Sequence, residues 1–319
     1  MNSLTPKQLW FHLQLTAIFL SLFTTIKATS ADEATKQEAV GLLEACILNT
    51  KSLYPVDVQI QTVITDYYND EATLSQSESY RLRIDLEGEL AMRAGESRLA
   101  SNYRLDETAP VAIEPKYNAV IVDGNVRRII RNGSVSENRY VGFKDAMHDT
   151  NSISPVGFWS VAHFPQQLNY IDWFAETKFH LLHPDSDVQL INNGNQTTTV
   201  SCRFYTEPNS KSSFEKYVWR IDTKHYQVLA WHASRSKDST TRKVWQQEID
   251  YSNSQELLPL LITSQVGVAR QVDGVWEVGK RYIGTEIKAV ESKDNDWKKT
   301  SSSISSVADI IEFYKQPSL

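Results

Sequence analysis

Hydrophobic and polar positions alternate with two distinct periods along this chain. Between about residues 35 and 52, Ala39, Val40, Leu43, Cys46 and Ile47 recur at three- and four-residue spacing and make one apolar stripe. Thr35-Lys36-Gln37-Glu38 reads as a capping box at its start, and Pro55 blocks its continuation. The spacing therefore predicts one amphipathic helix. From Val56 the period becomes two. Val56, Val58 and Ile60 alternate with Asp57, Gln59 and Gln61, and Tyr80, Leu82, Ile84 and Leu86 alternate with Arg81, Arg83, Asp85 and Glu87. Both stretches predict half-buried strands with one solvated face.

Further strands are predicted over Leu90–Arg93, Tyr117–Val122, Val126–Ile130, Val188–Ile191, Thr197–Tyr205, Lys216–Asp222, Val228–Ser234, Lys243–Tyr251, Leu260–Ala269 and Val275–Ala289. Asp123-Gly124, Asn132-Gly133 and Asp273-Gly274 mark tight hairpins. Connections this short make neighbouring strands antiparallel, because a parallel pair needs a long crossover. The expected fold is mainly β: a strongly curved antiparallel sheet, or open half-barrel, with an N-terminal helix and short helices in or over its concave face. The segment 143–182 keeps neither period. It carries Phe158, Trp159, Phe164, Trp173, Phe174 and Phe179 among prolines and reads as a helical and loop plug or lid.

The first thirty residues carry a separate message. Lys7, the apolar run Leu15–Phe23 and the small residues Ala28, Ser30 and Ala31 form a signal peptide, too short to span a bilayer at about 20 residues per crossing. The expected organisation is a signal peptide over 1–31, one domain over 32–292, and a polar tail over 293–319 with a short helix near Val307–Tyr314. The mature protein is expected to be exported, with no stable membrane span. Two cysteines, Cys46 and Cys202, suit export as a disulfide, or sit as two buried thiols. A net charge of −6 argues against nucleic acid, which needs a basic face.

No motif for catalysis, metal or cofactor binding emerges. His180 and His183 lack the Glu and third ligand that a zinc site needs. Ser234-Arg235-Ser236-Lys237 matches an acyltransferase string but falls in a polar turn without its companion motifs. The aromatic pattern remains. Tyr217, Trp219 and Ile221 share one strand face, as do Leu229, Trp231 and Ala233 on the next, and Trp245, Ile249 and Tyr251 on the third. These rings are either an ordinary core or the lining of an apolar pocket. Trp219, Ile221, Leu229, Trp231 and Trp245, together with Phe158, Trp159 and Trp173, are the candidate ligand-lining residues.

The helix Glu38–Leu48, the strands Val56–Thr65 and Tyr80–Leu86, the run Ala119–Asn125 and the late hairpin from Val218 to Ala233 resemble, in order and pattern, the periplasmic lipoprotein carriers and receptors of the LolA/LolB type. That resemblance implies an open β half-barrel plugged by short helices, and binding of a lipid or a lipoprotein acyl chain. The leading expectation is an exported, non-enzymatic binding protein that shelters a lipid-like or other apolar ligand. One alternative is a structural or envelope-protein interaction domain with a filled interior. Another is a hydrolase whose paired carboxylates only the fold brings together.

Overall fold

The computed structural model describes residues 32–49, 52, 54–69, 71–100, 114–148, 178–207, 210–237, 240–251, 261–272, 275–290 and 296–315. The expected signal peptide, and Phe158, Trp159 and Trp173, lie outside these residues.

A helix, α1 (32–49), precedes six strands: β1 Val56–Tyr68, β2 Glu71–Asp85, β3 Leu90–Ala100, β4 Lys116–Asp123, β5 Val126–Arg131 and β6 Ser134–Arg139. Two short helices follow, α2 Phe143–His148 and α3 (178–182). Seven more strands come next: β7 Asp187–Gly194, β8 Thr197–Glu207, β9 Ser210–Asp222, β10 Gln227–Lys237, β11 Thr240–Asp250, β12 Leu261–Val272 and β13 Val275–Ala289. The described chain ends in α4 Trp297–Ser303 and α5 Val307–Lys315. All thirteen strands form one antiparallel sheet in the order β6-β5-β4-β3-β2-β1-β13-β12-β11-β10-β9-β8-β7. Two meanders meet where β1 pairs with β13, for example Ile60 opposite Ile287. Strands β6 and β7 are the two free edges, so the sheet is open rather than a closed barrel.

Strict alternation along β1 decides which face is which. Val56, Val58, Ile60, Thr62, Ile64, Asp66 and Tyr68 are buried on the inner face, while the residues between them are more exposed, Asp57 apart. Helix α1 lies on the inner face. Its Ala39, Val40, Leu43 and Cys46 share one core with Val58, Ile60, Leu82, Ile84, Val122, Trp219 and Ile221, joined by Phe143, Ala146 and Met147 of α2 and Leu181 of α3. Lys36, 2% exposed, is fixed by Asp32 at 2.9 Å and donates to the His183 and Pro184 carbonyls. Asn49 donates to the His225 carbonyl in the β9–β10 turn at 2.7 Å. The helix starts one turn before the capping box, because the Asp32–Lys36 pair and the Gln37–Glu33 hydrogen bond extend it.

The outer face corrects the expectation of a solvated side. Met92, Ala94, Ala119, Ile121 and Ile130 form a second core with Ile304, Ile310, Phe313 and Tyr314 of the C-terminal segment. Residues 293–319 therefore hold more than a polar tail with one short helix: α4 and α5 dock on β2–β4. Arg81 and Arg83, which alternation assigns to water, lie under these helices at 2% and 0% exposure. Both bind Asp57: Arg81 through Nε and Nη2, and Arg83 through Nε, each at 2.7 Å. Arg81 Nη1 also donates to the Phe313 carbonyl at 3.4 Å, and both guanidinium groups lie about 5 Å from the Phe313 ring centre. Charge beneath α5 thus serves as its anchor.

Cys46 and Cys202 are free, buried thiols; the disulfide considered from the sequence is not formed. The charge nearest Cys46 is Asp222, whereas Cys202 has Asp187 and Lys36 for neighbours. Burial first, then the nearby carboxylates, pushes both thiols up to about 12.

Three outcomes follow from this architecture. Asp57→Asn keeps the shape but strands two buried guanidinium groups, so a stability loss of about 3–5 kcal/mol is expected in urea unfolding; a loss below about 1 kcal/mol would show the cluster to be peripheral. Both thiols should resist a thiol reagent in the native protein and react as two free thiols once it is unfolded. In acid, α5 should loosen first. Burial alone would raise Glu96, but hydrogen bonds from Tyr314 and Arg98 outweigh it and hold it below its ordinary value. Asp309, bonded by the amides and hydroxyls of Ser305 and Ser306, is held low too. A depressed carboxylate stabilises the fold above its ordinary titration range of about 4 and loses that contribution as pH falls through the folded value. Hydrogen exchange should then show α5 losing protection before β1 and β13.

Candidate ligand-binding site

The aromatic stripe singled out in the sequence lies on the inner face, largely within the core. Trp219 and Ile221 are 1% and 0% exposed, Trp231 is 8%, and all three join the cluster that holds α1. Tyr217 stacks on Trp219 with centroids 5.9 Å apart. Leu229 breaks the alternation. The register between β9 and β10 shifts between Val228 and Ala230, so Val228 rather than Leu229 enters the core. Trp245 pairs with Ala233 and Val266 in the ladder. Trp219, Ile221 and Trp231 pack against Val40, Leu43 and the other core residues of α1 rather than standing apart from it.

The histidines are packing groups. His180 on α3 stacks on Phe204 at 4.3 Å and faces Tyr217, while His183 meets Phe204 edge-on. Among the described residues no cluster of three or more His, Cys, Asp or Glu fits a metal. Ser234 to Lys237 lie within β10 rather than in a turn, and Arg235 pairs with Glu215 across the ladder.

Open space lies on the β2–β5 wing. A pocket of about 240 Å³ is lined by Glu78, Tyr80, Arg93, Gly95, Asn118, Val120, Ile129 and Arg131, with Ser97 and the backbone side of Glu96 and Ala119. Register builds it. Tyr80 lies opposite Gly95, Gly95 opposite Asn118, and Asn118 opposite Arg131, so one row crosses four strands. The next row is Leu82, Arg93, Val120 and Ile129. At Gly95 a Cβ would come within 2.2 Å of the Ser79 carbonyl and 2.4 Å of Tyr80 Cα. Only glycine fits there, because the β2 backbone occupies the place a side chain would take.

The pocket's polar groups are partly committed. Arg93 Nη2 pairs with Glu78 at 2.9 Å, and its guanidinium carbon sits 4.1 Å from the Tyr80 ring centre. Burial, opposed by Arg93, pushes the Tyr80 phenol up and keeps it neutral. The Glu96 carboxylate belongs to the outer face, where it accepts from Tyr314 at 2.7 Å. At the mouth Arg131 is exposed, and its guanidinium makes no ion pair among the described residues. At the floor, Val120 and Ile129 belong to the apolar core beside α2. The site therefore runs from a charged rim to an apolar base within two residues of strand. Individual signals for it were present in the sequence: Gly95 inside a strand, and arginines among apolar residues. Their convergence depends on register across four strands, which sequence alone does not supply.

Comparison with protein-family models and with curated protein sequences finds no match. Several solved structures are similar at low level, among them three of different kinds. A DUF1329 family protein from Desulfovibrio piger aligns at 10% identity over 80% of this chain and 94% of its own, with a TM-score of 0.33. A porin-like protein from Bacteroides uniformis aligns at 8% identity over 72% of this chain and 97% of its own, with a TM-score of 0.23. Lipovitellin, solved in the context of lipid–protein interactions, aligns at 7% identity over 75% of this chain and 26% of its own, with a TM-score of 0.18. At TM-scores below 0.5 these likenesses carry no function over to this chain.

Proposed function

We propose that this protein is an exported, non-enzymatic binding protein that holds an amphipathic, lipid-like ligand against the inner face of its open sheet. The observation that carries the reading is the pocket on β2–β5, which opens on the same face as the apolar core. The seat differs from the one the sequence suggested, because α1 packs tightly on the central strands. At about 240 Å³ the pocket is smaller than the roughly 300–1,000 Å³ of sites that enclose a drug-sized molecule. It suits a head group and a short apolar stretch, not an entire lipid. The resemblance to the LolA/LolB carriers supports this reading only through the open antiparallel sheet and its inner helix.

A second reading, an envelope interaction domain, rests on a different observation. Val63, Tyr282 and Val278 are 53%, 42% and 78% exposed on the outer side of the β1–β13 seam. Such a patch favours contact with another macromolecule over enclosure of a small one.

Native mass spectrometry of the purified mature protein should find bound lipid, and a dansyl-labelled fatty acid should bind the delipidated form. Asn118→Trp fills the middle of the pocket and should weaken that probe about tenfold, some 1.4 kcal/mol, without lowering the melting temperature. No probe binding by the native protein, or binding untouched by Asn118→Trp, would overturn the reading.

A further inference from the structure

We infer that this pocket selects ligands carrying a single anionic head group on an apolar chain; the inference rests on the carrier reading and adds the ligand's chemical class. The argument is a count of charge on the inner face. Glu78, Arg93 and Arg131 are the charged side chains that reach the pocket from that face, and Lys116 shares the face two residues before Asn118. Glu78 and Arg93 neutralise each other at 2.9 Å, and the Tyr80 ring holds the guanidinium in place. Glu96 is drawn to the outer face by Tyr314 and Arg98. One positive charge, Arg131, remains at the mouth, with Lys116 close by.

Arg131 stands opposite Asn118 in the β4–β5 ladder, so a guanidinium and a side-chain amide are neighbours in the pocket lining. Both donate hydrogen bonds, and a carboxylate or phosphate oxygen accepts them. Two residues further along each strand stand Ile129 and Val120, which lead into the core beside Phe143 and Met147. A head group held at Arg131 and Asn118 therefore points its chain along apolar side chains. A neutral polar ligand would leave Arg131 unanswered. A cationic one would meet it as a like charge.

Octanoate and octanol share a chain length and differ in head group, which isolates this point. Calorimetry should give octanoate about fivefold tighter binding, the scale of a partly exposed ion pair of about 1 kcal/mol, and the difference should shrink with added salt. Arg131→Gln should erase the preference, bringing octanoate and octanol to equal affinity, and Arg131→Lys should restore most of it. Acetate, the head group without a chain, should displace neither. Equal affinity for the two ligands, or a preference that survives Arg131→Gln, would overturn the inference and leave the carrier reading standing. Binding of neither would overturn both.

Discussion

The pairing of β1 with β13 joins segments from opposite ends of the chain, and every layer of the molecule is placed by it. Residues 58–68 meet 279–289 in eleven successive pairs, so the two meanders become one sheet only after the chain has closed a loop of more than two hundred residues. Closure entropy grows only slowly with loop length, but the contact is of the non-local kind that forms late. Once formed, the seam fixes where both termini of the domain go. Helix α1 lies on the inner side, and α4 and α5, which follow β13 in the chain, lie on the outer side. Val290 continues the ladder by donating to the Asp57 carbonyl at 2.9 Å. One seam thereby covers both faces.

Strand β1 also carries the charges that hold its register. Asp57 faces outward and binds Arg81 and Arg83 of β2; Asp66 faces inward and binds Arg281 of β13 at 2.6 and 2.8 Å. Both carboxylates are about 5% exposed or less. A buried ion pair is weak evidence for stability, yet removal of either partner leaves a charge out of water at a cost of several kcal/mol. A slip of one residue would send Asp57 to the inner face, beside Leu82 and Ile84 of β2, and Asp66 to the outer face. The two aspartates thus reinforce the register that the alternating Val, Ile and Thr residues of β1 set.

Much of this was legible in the sequence wherever one face of an element meets water. The stripe Ala39, Val40, Leu43 and Cys46 identified α1, and Asn132-Gly133, both at positive φ, marked the β5–β6 hairpin. The reading failed where both faces are covered. Arg81 and Arg83 look solvated by alternation, and only the docking of α5 makes them internal. The consecutive apolar run Ala119-Val120-Ile121-Val122 was the available sign, since a strand buried on both faces loses its alternation. Helix α4, with its serines, and strand β6, with six exposed residues, carry no apolar period to detect. Leu229 was misplaced because a bulge leaves no trace in composition. The pocket escaped for a related reason: Gly95, Asn118 and Arg131 mean little singly and acquire a role only when the register aligns them.

The same register decides where the α1 core stops. Ile287, Ile60 and Tyr80 form its last row on these strands, and the next is Thr285, Thr62, Glu78 and Ser97. Thr62 and Thr285, both essentially buried, hydrogen-bond to each other at 3.2 Å, so the polar row is satisfied from within. Valine at these positions, nearly the same shape, would extend the core without this constraint. Hydroxyls and a carboxylate instead draw a line across four strands, and the Glu78 end of that line is the wall of the pocket. The row that stabilises the seam and the row that lines the pocket are thus adjacent in one sheet, with the Thr62–Thr285 pair between the packed core and the open space.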